Sequence, residues 1–246
     1  MTMHPSQTPS PAANRWNVRH RPLRAALPPL TERVQLSWLS PDTGEVEEAV
    51  RAIPAMRLFT QAFGAFARGG LVPTPGGPVA VEDLIPGDRV VTTEGPMALL
   101  WKGARTLARP RSGGASVYRI PADALGLGRP MPDLMLGPSA RIASRRTDSG
   151  PTFVPVSSMP DSMAVIAITP ISPVQTFHLA FARHLSFTIN GVEVESHHPG
   201  RIDAHVGQET QELYLSLFPH LRGMGDFGPL RLPRASDAGD AQNGAA

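Results

Sequence analysis

Leu71-Val-Pro-Thr-Pro-Gly-Gly-Pro-Val-Ala-Val-Glu-Asp-Leu-Ile-Pro-Gly-Asp-Arg-Val-Val-Thr-Thr93, preceded by Ala65-Phe-Ala-Arg-Gly-Gly70, is the stretch that decides the fold. Short aliphatic runs alternate with Pro/Gly breaks, the pattern of brief strands joined by tight turns. Thr74-Pro-Gly-Gly77 reads as a hairpin turn, and Pro86-Gly87 as a second turn that Asp88 closes by bonding its own backbone. Strands are therefore expected at Leu71–Val72, Val79–Val81 and Arg89–Thr93.

Further along, the same period-two alternation recurs at Ala98–Lys102, Val117–Ile120, Leu134–Leu136, Ala140–Ser144, Phe153–Val156, Ala164–Ile168, Phe177–Phe181, Ser186–Ile189 and Val192–Glu195. Asn190-Gly191 is a hairpin signal, since both residues tolerate the positive φ of a type I′ turn. The expected class is all-β. Upstream, Val34–Leu39 alternates like a strand, Pro41 to Gly44 is a turn, and Glu45–Phe66, apolar at Val46, Val50, Ile53, Leu58 and Phe59 and interrupted by Pro54, is expected to be a short helix or turn. Downstream, Leu213, Leu217 and Leu221 at i, i+4 spacing, beside Tyr214 and Phe218, place a helix over Glu209–Leu221 with its apolar stripe docked on the β domain. The chain divides into a disordered basic, Pro-rich arm (1–30), a strand/helix lead-in (31–64), a β domain (65–200), a C-terminal helix segment (201–222) and a flexible tail (223–246).

Twenty-seven prolines and 23 glycines in 246 residues suit turns better than long helices. The net charge is only +2, yet the pI is about 9.6, because Lys102 is the only lysine and arginine supplies the rest. With no cysteine there is no disulfide, no thiolate metal site and no thiol nucleophile. The polar start resembles no signal peptide, and no apolar run reaches the roughly 20 residues of a membrane span. A soluble, cytoplasmic protein is expected, with secretion by a signal-independent route as the alternative.

Three segments resemble the Hedgehog/intein (Hint) domain family, and in particular bacterial stand-alone Hint proteins. They are the opening from Ala65 with Leu84-Ile-Pro-Gly-Asp-Arg-Val90, then Asp133 to Ile142, then Thr176-Phe-His-Leu through Arg183-His184 to Gly200. The resemblance implies a compact fold of many short strands. It also implies a chemistry: a Cys, Ser or Thr attacks its own preceding carbonyl, while a histidine protonates the departing nitrogen and a Thr or Ser three residues earlier holds the strained peptide. Here those positions are Ala65, Ala140 and Gly137. Alanine offers neither lone pair nor proton. The family's splicing members also end on a His-Asn pair, whereas His197-His198 precedes Pro199.

The expected function is thus a Hint-domain protein that has lost self-cleavage and serves as a binding or structural module, a pseudoenzyme with no catalytic residues. His178 and His184 match family histidines; they are read as remnants that bridge backbone. An alternative is residual hydrolytic or ester-type autoprocessing, with Thr74 as a non-standard nucleophile beside His178 or His184. A further alternative is nucleic-acid binding, if Arg105, Arg109, Arg111, Arg145 and Arg146 share one face. His197, His198, Asp203 and His205 suggest a metal cluster only superficially, because adjacent strand residues point to opposite faces. No metal, cofactor or membrane is expected, and an unidentified protein partner is. No Gly-x-Gly-x-x-Gly, P-loop or Gly-x-Ser-x-Gly pattern occurs.

Overall fold

The computed structural model describes residues 28–108, 117–145, 150–159, 164–202 and 206–235. Its strands, in chain order, are β1 (Leu30–Leu39), β2 (Val46–Pro54), β3 (Phe66–Ala67), β4 (Leu71–Thr74), β5 (Gly77–Ala80), β6 (Arg89–Thr92), β7 (Gly95–Ala98) and β8 (Trp101–Leu107). They continue with β9 (Val117–Ile120), β10 (Leu134–Leu136), β11 (Arg141–Ser144), β12 (Thr152–Pro155), β13 (Ile166–Ile168), β14 (Val174–Ala180), β15 (Ser186–Ile189) and β16 (Val192–Glu195). Helices α1 (Arg57–Thr60) and α2 (Gln208–Leu215) complete the frame. The larger sheet has the order β13-β9-β10-β3-β14-β8-β1-β2, the second β12-β11-β16-β15-β6-β7, and β4-β5 forms a separate hairpin. The all-β expectation is met.

Turn chemistry behaves as the residues dictate. Gly87 takes φ +101° while Asp88 Oδ2 accepts the Ile85 N–H at 2.9 Å. Asn190 and Gly191 take φ 49° and 80° between β15 and β16. The Asn190 side chain also ties three segments together, accepting from Leu71 N–H at 2.7 Å and donating to the carbonyls of Pro132 and Asp133.

One apolar core draws on both sheets through residues such as Phe66, Ile120, Leu136, Phe177, Phe187 and Val194, all essentially inaccessible. A second core lies beside it, where Val34, Leu36 and Trp38 of β1 meet Phe59, Phe63, Trp101, Tyr214, Leu217 and Phe218. Trp101 Nε1–H donates to the Leu217 carbonyl at 2.7 Å, so the C-terminal segment is docked through hydrogen bonding as well as area. Tyr214, Leu217 and Phe218 are buried, while Leu213 and Leu221 are only partly covered.

Several expectations need correction. Glu45–Phe66 contains the strand β2 followed by the single turn of α1, because β1 offers it a partner from Leu39↔Val46 to Leu30↔Pro54. Non-local pairing overrides the helical spacing of its apolar residues. The lead-in is part of the larger sheet, with β1 inserted between β2 and β8 in register Val34↔Arg105 to Trp38↔Trp101. Leu30 already belongs to β1, so the arm stops short of it; residues 1–27 lie outside the described residues. The single strand expected at Ala98–Lys102 is two, β7 and β8. Helix α2 ends at Leu215, and Leu217 to Leu221 continue in turns.

The tail is also more ordered than expected. Phe227 is buried, and the Pro233 carbonyl accepts the Phe153 N–H at 2.8 Å while Ala235 N–H donates back to Phe153 at 2.9 Å. This covers an otherwise open strand edge at β12. Residues 236–246 lie outside the described residues. Among the described residues, no helix is long and apolar enough to cross a membrane.

Candidate functional site

Strand β3 is only two residues long, but it lies between β10 and β14, with Phe66 opposite Leu136 on one side and Phe177 on the other. That placement buries the Gly64–Ala65 peptide and satisfies its polar groups. The Gly64 carbonyl accepts from Ser139 N–H at 3.0 Å, Ala65 N–H donates to the Phe177 carbonyl at 3.1 Å, and the Ala65 carbonyl accepts from Gly137 N–H at 2.7 Å. Thr176 Oγ1 donates to the Phe63 carbonyl at 3.0 Å just upstream.

Ala65, Gly137 and Ala140 lie together in the structure. Both alanines are buried, at 0% and 1% exposure, and the turn between Gly137 and Ala140 closes on itself through Ala140 N–H to the Gly137 carbonyl at 3.1 Å. The backbones approach so closely that a Cβ on Gly137 would stand 2.2 Å from the Gly64 oxygen. A Cβ on Gly64 would stand 2.9 Å from Ser139 Oγ. At Gly137 a side chain larger than hydrogen would meet fixed backbone, whereas at Gly64 the nearest atom is the Ser139 hydroxyl, which can rotate away.

His178 lies beside this peptide, its Nδ1 3.2 Å from the Gln61 carbonyl and its ring edge-on to Phe66. Burial pushes its pKa down to about 4, so near neutrality it is an uncharged ring bridging backbone. His197 packs against His178, stacks on Phe218 and meets the Tyr214 hydroxyl at 2.8 Å; burial holds it well below its ordinary value and raises Tyr214. His198 faces the other way: its Nδ1 accepts from Gly200 N–H and its Nε2 donates to the Gly228 carbonyl.

A network that the sequence did not reveal lies behind these histidines. His184 Nδ1 accepts the Arg231 N–H at 2.8 Å, which places its proton on Nε2, 3.0 Å from Glu195 Oε1. The same carboxylate oxygen accepts from Arg234 Nε at 2.8 Å, and Arg141 Nη1 stands 4.0 Å from Oε2. Burial alone would raise Glu195, but His184 and Arg234 hold it below the usual carboxylate value. No local motif links residues 184, 195 and 234, so spacing carried no signal.

Among the described residues, the other groupings that the sequence raised are not seen. Thr74 Oγ1 donates to Gly77 at 2.6 Å inside the β4–β5 turn, committed away from His178 and His184. Arg105 donates to the Thr60 carbonyl at 3.3 Å from the larger sheet, whereas Arg145 pairs with Glu193 at 3.8 Å beside the second. Arg109, Arg111, Arg146, Asp203 and His205 lie outside the described residues. Two clefts stand out. One of about 540 Å³ crosses β1, β2 and β8, with Glu48, Glu82, Asp83 and Arg68 around Lys102, whose pKa burial lowers. The other, of about 280 Å³, opens beside Ser139 and Ala140.

The sequence profile of the Hint domain matches residues 64–201, beginning at the buried Gly64–Ala65 peptide. The chain belongs to the Hint domain family. Among solved structures the chain is similar to the crystal structure of the gp41-1 intein, at 14% identity and TM-score 0.35 over 55% of this chain and 98% of that one. It is also similar to the solution structure of a bacterial intein-like domain from Clostridium thermocellum, at 16% identity and TM-score 0.35, covering 55% and 99%. Among curated proteins no sequence matches. The Hint match ends at Arg201, before α2 and the segment that carries Arg234.

Proposed function

We propose that this Hint-domain protein does not cleave or splice itself and that its fold serves as a binding or structural module. The observation that carries the reading is the contact between Gly137 and Gly64, where a Cβ would fall 2.2 Å from the oxygen of the carbonyl whose carbon is attacked in the family's chemistry. A Thr or Ser at 137 has no space, Ala65 supplies no nucleophile and Ala140 supplies no proton. The Gly64 carbonyl still accepts the Ser139 N–H, a donor of the kind that polarises a carbonyl, so the reading rests on the missing nucleophile and acid and not on the carbonyl's surroundings. The segment before it is structural: cutting at Gly64 would sever β1 and β2 from the domain whose sheet they extend.

Incubation of the full chain with excess dithiothreitol or hydroxylamine, followed by intact-mass measurement, tests this. An unchanged mass is expected. A fragment beginning at Ala65 would overturn the reading.

A further inference from the structure

Among the described residues the two main sheets end on four strands, and three of those edges are short or covered. The 233–235 segment bonds along β12, β7 runs four residues and holds Pro96, and β13 runs only three. The fourth, β2, is different. It runs nine residues with no proline before its last, in unbroken register against β1 from Ile53 to Val46. Val46 and Val50 are 42% and 49% exposed along it. We propose that this edge pairs with the same edge of a second copy of the chain, antiparallel about a two-fold axis through Ala49, joining the two larger sheets into one.

Alternation puts Glu47, Ala49 and Arg51 on one face of β2 and Glu48 and Val50 on the other. A continuous sheet keeps each face on its own side, so the axis must pass through a residue and not between two. Centred on Ala49, Glu47 of each copy stands opposite Arg51 of the other, which gives two opposite-charge pairs, while Glu48 faces Val50 and Val46 faces Ala52. Centring on Glu48 would oppose that carboxylate to itself, and centring on Val50 would leave Glu47 opposite the buried Ile53. Charge therefore selects one register. In the single chain Arg51 Nη1 donates to the adjacent Val50 carbonyl at 3.3 Å, a long bond that a carboxylate would replace. Glu48 and Val50 also line the cleft of about 540 Å³, so pairing sets the clefts of the two copies edge to edge. β2 lies upstream of Gly64 and outside the family match, so this pairing goes beyond the question of self-cleavage.

Sedimentation equilibrium of the full chain over about 1–200 µM tests this, and a species of twice the 26.3 kDa chain mass is expected. A nine-residue edge is smaller than a standard interface of about 800 Å² per partner, so a dissociation constant on the order of 10 µM is expected, weaker as salt is added. Glu47→Arg and Arg51→Glu, both at exposed positions, should each weaken the dimer about tenfold or more by facing like charges, and the double exchange should restore it. Melting at low concentration, where each variant is a monomer, should stay within about 2 °C of wild type. A chain that is monomeric throughout the range leaves the edge to another segment or another protein, and overturns the proposal. A dimer that ignores both single exchanges, or that the double exchange fails to rescue, uses another surface or register and overturns it equally.

Discussion

Glu195 and Arg234 meet at 2.8 Å across 39 residues of sequence, inside a region where the carboxylate side chain is only 4% exposed. The contact joins the last strand of the second sheet to a segment beyond the Hint match, and His184 and Arg141 face the same carboxylate. Four groups that sequence separates thus share one buried charge balance.

Removing that charge should be severe. Glu195→Gln leaves Arg234 and Arg141 without their shared anion, and breaking a buried pair from one side costs about 3–5 kcal/mol. Denaturant unfolding should report a loss of that size, together with faster proteolysis around Arg231 and Arg234. A stability within about 0.5 kcal/mol of wild type would mean that the network is ornamental.

Acid should destabilise the protein earlier than carboxylate titration alone would. The folded pKa of His178 is about 4 against an ordinary 6.5, so the folded state favours the neutral ring. Its contribution is whole above pH 6.5 and is lost as pH falls toward about 4, on the order of 3 kcal/mol for this one group. His197 and His198 are shifted in the same direction, and Glu195 adds to the loss below its unfolded value of 4.5. Calorimetric melting temperatures should fall through this window. A flat profile would show that the buried histidines accept protons without cost.

The Gly137 contact gives a direct steric test. Gly137→Ser drives a Cβ toward the Gly64 oxygen and should cost about 1–3 kcal/mol, as overpacking does, with no gain in self-cleavage. Equal stability would show that the backbone relaxes readily and that the site is open to repair.

The docked C-terminal segment should respond to Leu217→Asp, since Leu217 is 1% exposed and its carbonyl receives the Trp101 N–H. Burial worth roughly 1.5–3 kcal/mol is lost and a charge is stranded. The expected fall in melting temperature is several degrees, about 5 °C or more. Tyr214→Phe is the milder companion, removing only the hydroxyl at His197, for a loss of about 1 kcal/mol. Unchanged melting of the Leu217 variant would assign the stripe to a partner instead.

A chain truncated to begin at Ala65 should not fold as a stable monomer. It lacks Val34, Leu36, Trp38, Phe59 and Phe63, which cover Trp101 and Phe218 in the second core. Aggregation, or dye binding to exposed apolar surface, is the expected readout. A soluble, cooperatively melting fragment would make 65–200 an independent domain.

What the sequence determined alone was local. Pro86-Gly87 and Asn190-Gly191 demand turns, the period-two runs demand strands, and the alanines at 65 and 140 bring neither a nucleophile nor an acid, because a methyl group has no lone pair to attack with and no proton to give. The apolar spacing in Val46, Val50 and Ile53 misled because a helix and a half-exposed strand both accept it, and only the offered edge of β1 chose between them. Tertiary structure alone decided that Gly137 packs on Gly64, that the Trp101 indole bonds the Leu217 carbonyl, and that Glu195 holds Arg234. Each is a contact between distant segments whose residue types are ordinary by themselves. Their energies arise from burial and proximity, quantities that a linear pattern does not contain.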